Sequence, residues 1–184
     1  ALHQGRIVTD ESHQTSIPGV YAIGDVASPL QLAHAASAQG IACVEAAAGH
    51  PSPARLDIVP ACVYTRPEIA CVGLTAEEAK ARGLEVRTGK YILSGNSRTL
   101  IAGGERAFIK LVADAGTGVL LGAHLLCERA TDMIGELTLA IAHGLTREDL
   151  LQAIRPHPTF CESVTEALDS LAGKAIHMAP PRRR

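Results

Sequence analysis

Tryptophan is absent from the 184 residues, and aromatic side chains make up only 3% of them. A core without large rings is filled by Ala, Val, Leu and Ile, whose modest size favours helices lying close on strands. No apolar run reaches the length of about eighteen residues that a membrane-spanning helix needs. The opening stretch ALHQGRIVTDESHQTS lacks the charged and then apolar pattern of a secretory signal. Basic charge is not concentrated either. The formal net charge is -2, and Lys and Arg are dispersed until the final PPRRR, so no basic stripe points to nucleic acid. Arg182 to Arg184 read as a solvated end.

The five cysteines, Cys43, Cys62, Cys71, Cys127 and Cys161, contain no CxxC pair and no regular framework. They read as reduced thiols of a cytoplasmic protein. The eight histidines show neither HxH nor HxxxH spacing, so no metal site is expected. GxGxxG, the fingerprint of dinucleotide pyrophosphate binding, is missing as well.

What is present divides at HPSPARLD, residues 50–57, giving an expected first segment of residues 1–56 and a second of 57–184. In the first, GRIVTD alternates like a short strand and VYAIGD reads as a buried strand ending at Asp25. LQLAHAASAQGIACVEAAAG follows as an Ala-rich helix closed by Gly49. One strand and one helix cannot bury both faces of a parallel strand, so the chain is expected to belong to a longer polypeptide. An acidic residue at the carboxyl end of such a strand either binds hydroxyls of a ligand or caps the following turn.

The second segment begins with strand material in VPACVYTRPEIACVG, then a short helix TAEEAKARG under a Thr75/Glu78 capping box. LEVRTGKYIL, RAFIKLVAD and GVLLGAHLLC are three more strands, and the last two are joined by the turn AGTG. LSGNSRTLIAGGE between them reads as a Gly-rich loop or bulged edge. ATDMIGELTLAIAHG and TREDLLQAI are helices. Strands first and helices after describe an α+β domain with an antiparallel sheet and flanking helices.

The stretch RPHPTFCESVTEAL carries the strongest chemical signal. Pro156 and Pro158 restrict the backbone around His157. Thr159 and Glu162 have the T-x-x-E spacing of a capping box ahead of a helix with Val164, Leu168 and Leu171 on one face. Glu162 can also accept the N–H of one ring nitrogen of His157, leaving the other to exchange a proton near neutral pH. Structural capping and acid/base orientation both remain open on spacing alone.

GVYAIGD with LAHAASAQG, RPEIACVGLTAEEA and HPTFCE, in that order across nearly the whole chain, resemble motifs of the flavin-dependent pyridine nucleotide disulfide oxidoreductases. Within them the likeness is to the branch that oxidises dihydrolipoyl groups. The resemblance implies a C-terminal interface (dimerisation) domain preceded by the tail of an α/β FAD-binding domain. It assigns Asp25 to the ribityl chain of FAD, the backbone near Ala33 to the flavin pyrimidine edge, His157 to the catalytic acid/base and Glu162 to its orienting partner. It further implies a homodimer whose His–Glu pair serves the other subunit, with electrons passing through FAD to NAD. The partner would be a lipoyl domain of a 2-oxoacid dehydrogenase or glycine cleavage complex.

The family's reactive cysteine pair, separated by four residues, and its NAD site are not in this chain, so the chain alone is expected to be inactive. Arg155 stands where many relatives carry another histidine, and Gln39 where an acidic residue is frequent. Two other functions stay open: a glutathione reductase-like disulfide reductase and a standalone, non-catalytic dimerisation module.

Overall fold

The computed structural model describes residues 1–50, 52–104 and 107–178, so the Arg182 to Arg184 end lies outside the described residues. Its contacts separate into two units, Ala1–Val59 and Pro60–Arg184. In the first, Leu2–His3 (β1) and Arg6–Ile7 (β2) pair antiparallel. The buried strand expected at residues 20–25 is not formed. Tyr21 makes only an isolated bridge to Gln14, Val20 and Ile23 are exposed, and Gly24–Val26 wind into one 3-10 turn. A strand needs ladder partners along its length, and the segment 13–15 reaches only the first half of this run, with Thr15 N–H on Val20 C=O at 2.8 Å and Ala22 N–H on His13 C=O at 3.0 Å, so the pairing stops before Asp25. Ala33–Ala47 (α1) is the expected Ala-rich helix. It ends where Gly49 takes φ +80° and His50 N–H bonds back to Glu45 C=O at 2.9 Å.

The second unit follows the expected order closely. Its strands are Ala61–Val63 (β3), Glu68–Gly73 (β4), Val86–Ile92 (β5), Phe108–Asp114 (β6) and Leu120–Cys127 (β7). They form one antiparallel sheet in the order β3-β4-β7-β6-β5. Ala76–Ala81 (α2) starts under the anticipated box, with Thr75 N–H on Glu78 Oε2 at 2.8 Å and Glu78 N–H on Thr75 Oγ1 at 3.1 Å. The β6–β7 turn is held by Asp114, whose Oδ1 accepts from Gly116 N–H, Thr117 N–H and Thr117 Oγ1.

The Gly-rich stretch between β5 and β6 is more ordered than a loop. A 3-10 turn at Leu93–Gly95 leads into a short helix, Ser97–Ile101 (α3), capped by Asn96 Oδ1 accepting from Thr99 N–H at 2.9 Å. The glycines masked this N-x-x-T cap, which was the legible signal for a helix start.

Three helices complete the unit: Ala130–Ala142 (α4), Arg147–Leu151 (α5) and Glu162–Ser170 (α6). α4 packs on β4 and β7, and α6 on β5 and β6. The core is aliphatic, with Leu93, Ile109, Leu111, Leu125, Leu137, Val164 and Leu168 fully enclosed. Gly89 on β5 sets how closely α6 lies. A Cβ there would stand 2.7 Å from both Ala167 O and Leu171 N, backbone atoms of α6 and of its end.

Replacing Gly89 with Ala therefore forces the helix off the sheet. Gly89→Ala in the full-length protein should cost on the order of 1–3 kcal/mol, the range for overpacking a tight core. Urea unfolding with an unchanged midpoint would contradict this close approach.

Candidate functional site

The loop between α5 and α6 presents His157. Its ring Nδ1 lies 2.8 Å from Glu162 Oε1, while the other carboxylate oxygen accepts the Thr159 N–H at 2.8 Å. One carboxylate thus grips the ring and the backbone of the same loop. Burial pushes the Glu162 carboxyl up, but the bonds from Thr159 N–H and His157 outweigh it, and its pKa falls below the ordinary value. An ionised carboxylate only accepts, so Nδ1 carries the hydrogen and Nε2 of the neutral ring is an unprotonated acceptor.

The expected capping box is only half present. Thr159 Oγ1 donates to Pro156 C=O at 2.7 Å instead of accepting from the helix, and α6 begins at Glu162 after Cys161. The hydroxyl closes the Pro156–Thr159 turn, and Glu162 supplies the bond that holds the turn to the helix. The His157–Pro158 peptide is cis.

Two residues outside the motif brace the loop. Asn96 Nδ2 donates to Thr159 C=O at 3.0 Å, tying the α3 cap to the site. Arg155 is almost wholly buried, pairs with Glu136 on α4 and donates to Thr165 Oγ1 on α6 at 3.0 Å. At the position noted for its departure from relatives, the guanidinium links two helices with a planar fork no imidazole could match. Its distance from these partners in sequence hid the role. Asn96 was detectable in principle, through the same cap that marks α3.

His157 and Glu162 line a cavity of about 460 Å³ together with Tyr91, Asn96, Ile154 and His177. Burial, aided by the Glu166 and Glu162 carboxylates, pushes the Tyr91 phenol up to about 12. It stays neutral at physiological pH and keeps the cavity floor free of a third negative charge.

Three of the cysteines are held away from thiolate character. All five are free thiols. Burial raises the pKa of Cys62 and Cys161 and pushes Cys127 up to about 12, the opposite direction from a reactive thiolate.

Asp25 and Ala33 lie in the first unit. Asp25 sits exposed in the turn Gly24–Val26, and Ala33 is the first residue of α1, whose preceding Leu32 provides no side-chain cap. Gln39 Oε1 accepts the Gly24 N–H at 2.8 Å, fastening the turn to the helix. Gly24 has φ +68°, and a Cβ there would meet Ala36 Cβ at 3.0 Å. An exposed carboxylate in a turn packed on α1 suits a ligand that offers hydroxyls, and the positive end of the helix dipole suits an electron-rich edge.

The family model described as pyridine nucleotide-disulphide oxidoreductase, dimerisation domain, matches residues 59–168, and the pyridine nucleotide-disulphide oxidoreductase model matches residues 1–40. The chain is 45% identical over 174 residues to the dihydrolipoyl dehydrogenase of Bacillus subtilis, covering 94% of this chain and 37% of that protein. It is 46% identical over 176 residues to that of Thermus scotoductus, covering 95% and 38%. Among solved structures, LpdA from Mycobacterium tuberculosis superposes with a TM-score of 0.84 at 32% identity, covering 90% of this chain and 36% of that one. The HOCl-induced flavoprotein disulfide reductase RclA from Escherichia coli does so with a TM-score of 0.84 at 26% identity, covering 92% and 40%. The chain thus spans under two-fifths of the length of the curated relatives.

The grip on Glu162 predicts a titration. Its carboxylate should protonate only below the ordinary glutamate value of about 4.3, so its stabilising bonds persist above that pH and are lost as pH falls through the depressed folded value. Carbon-13 NMR of labelled glutamate should show this low midpoint, and His157→Gln should raise it. An unshifted midpoint in the unsubstituted protein would contradict the geometry.

Proposed function

Because the chain belongs to the pyridine nucleotide-disulphide oxidoreductase family, we propose that it is the C-terminal part of a dihydrolipoyl dehydrogenase, oxidising protein-bound dihydrolipoyl groups. The observation that carries this reading is the His157–Glu162 pair, open to a cavity and held from below by a saturated carboxylate. Residues 1–56 would end the FAD-binding domain and residues 57–184 form the dimerisation domain.

In this reading Nε2 of His157 accepts the S–H proton of the substrate, and the resulting thiolate attacks one sulfur of a disulfide outside this chain. A mixed disulfide forms and the second sulfur leaves as thiolate. Attack of the remaining substrate thiol on the mixed disulfide would then release a cyclic disulfide and leave a dithiol on the enzyme. Nδ1–H on Glu162 keeps the ring in the accepting tautomer and stabilises the imidazolium that the first proton transfer creates. The pair would serve the active site of the other subunit of a homodimer, as the dimerisation-domain match suggests.

Asp25 would accept hydrogen bonds from the FAD ribityl hydroxyls, and the α1 backbone from Ala33 would face the pyrimidine edge. When bound, FAD supplies the two-electron relay between dithiol and NAD, whose own site lies outside this chain. A lipoyl domain of a 2-oxoacid dehydrogenase or glycine cleavage complex would deliver the substrate, in the cytoplasm. Among the described residues no helix is long and apolar enough to cross a membrane.

The likeness to a flavoprotein disulfide reductase favours a second substrate class, a small disulfide such as that of glutathione. In the full-length enzyme His157→Gln should lower dihydrolipoamide turnover by on the order of 10²-fold or more, as loss of a general acid/base does. Unchanged turnover would return the pair to a structural role. Equal or faster turnover of glutathione disulfide by the unsubstituted enzyme would replace the substrate assignment.

A further inference from the structure

Helix α6 carries a second carboxylate one turn beyond Glu162, and it too holds an imidazole. Glu166 Oε1 lies 2.8 Å from His177 Nδ1, and Oε2 accepts the backbone N–H of Ile176 and of His177, each at 3.0 Å. Glu166 is only 8% exposed, so this is a buried acidic group with three donors converging on it. All come from the segment that follows α6, six and seven residues after the helix ends. A buried charge is tolerated only when it is satisfied in this way, and the bonds to it are stronger than neutral ones.

The docked segment also meets the floor of the cavity. Gly95 has no side chain where a Cβ would stand 3.0 Å from the Tyr91 hydroxyl and would collide with His177 C=O. Gly95, Tyr91, Glu166 and His177 line the same 460 Å³ cavity as His157 and Glu162. The two rings are alike in presentation, His157 67% and His177 65% exposed at the side chain, each with Nδ1 turned to a carboxylate of α6 and Nε2 left unengaged by any described group.

We propose that Glu166 is a positioning residue for the substrate site: it fastens Ile176 and His177, sets His177 in the wall of the His157 cavity and turns its ring to face the bound dithiol or disulfide as a polar, substrate-binding side chain. The assignment rests on the proposed oxidoreductase reading of the cavity and adds a binding wall to it. The sequence offers no capping or spacing pattern for the contact, because the partners are ten and eleven residues apart across the end of a helix. His157 handles the proton, whereas the Glu166 wall governs how well substrate is held. The two residues should therefore separate in kinetics.

The test uses the full-length, flavin-loaded dimer with rates expressed per bound flavin. Glu166→Gln removes the charge that three donors share, and His177→Ala removes the ring while leaving Glu166 its two backbone bonds. Both variants should raise KM for dihydrolipoamide by roughly three- to ten-fold while kcat per flavin changes less than about twofold, the pattern of lost uniform binding. Deuterium exchange should show the amides of residues 176 and 177 protected in the unsubstituted enzyme and in His177→Ala, and released in Glu166→Gln.

KM within twofold of the parent in both variants overturns the proposal, as do amides at 176 and 177 that do not respond to Glu166→Gln. A fall in kcat per flavin at constant KM overturns it too, since a wall that only positions substrate would not act on the chemical step. If Glu166→Gln does not retain flavin, His177→Ala decides by its KM. Should the parent enzyme turn over glutathione disulfide in place of dihydrolipoamide, the dihydrolipoyl reading falls while the same KM comparison, run on that disulfide, still decides the role of Glu166.

Discussion

The site depends on one carboxylate with two obligations. Glu162 accepts the His157 ring on one oxygen and the Thr159 backbone on the other, both at 2.8 Å. Either bond alone would leave something loose: the ring without the backbone bond would ride on an untethered turn, and the turn without the ring would be an ordinary helix entry. Joined through one rigid planar group, they fix the ring relative to α6. The same saturation keeps the carboxyl ionised, and ionisation dictates which ring nitrogen carries the hydrogen. Loop geometry and proton chemistry therefore share a cause.

That carboxylate is useful only if α6 is itself fixed, and the sheet does this by leaving room. Gly89 admits the backbone of the helix to within contact of β5. Arg147 adds a second tie, donating through Nε to Leu168 C=O at 2.9 Å and through Nη2 to Asp169 at 2.6 Å. Arg155 joins α6 to α4 from the other side. A chain with few aromatic residues reaches this rigidity through a small residue at the closest contact and through arginines paired across helices.

How much of this was legible in the sequence depends on distance along the chain. The four stretches of strand material, the first of which the structure divides into β3 and β4, the Thr75/Glu78 box and the end of α1 at Gly49 rest on neighbours within a few residues, where period and cap chemistry speak directly. The His157–Glu162 contact, five residues apart and bounded by prolines, was open to the same reading. Residues 20–25 misled because an apolar run satisfies the pattern of a buried strand whether or not a ladder partner is at hand. Thr159 misled because T-x-x-E spacing does not say whether the hydroxyl turns forward to the helix or back to Pro156. Asn96 to Thr159, Arg155 to Glu136 and Glu166 to His177 bring together groups that only the packed helices make neighbours. No local pattern encodes them.

The central claim is that Glu162 sets the hydrogen on Nδ1 and leaves Nε2 of His157 free to take a proton. Nitrogen-15 NMR of ring-labelled histidine in the full-length dimer, at a pH where the ring is neutral, reads this directly. The His157 ring should be the Nδ1–H tautomer, with Nε2 at the chemical shift of an unprotonated nitrogen. A hydrogen found on Nε2 in the neutral ring would contradict the account.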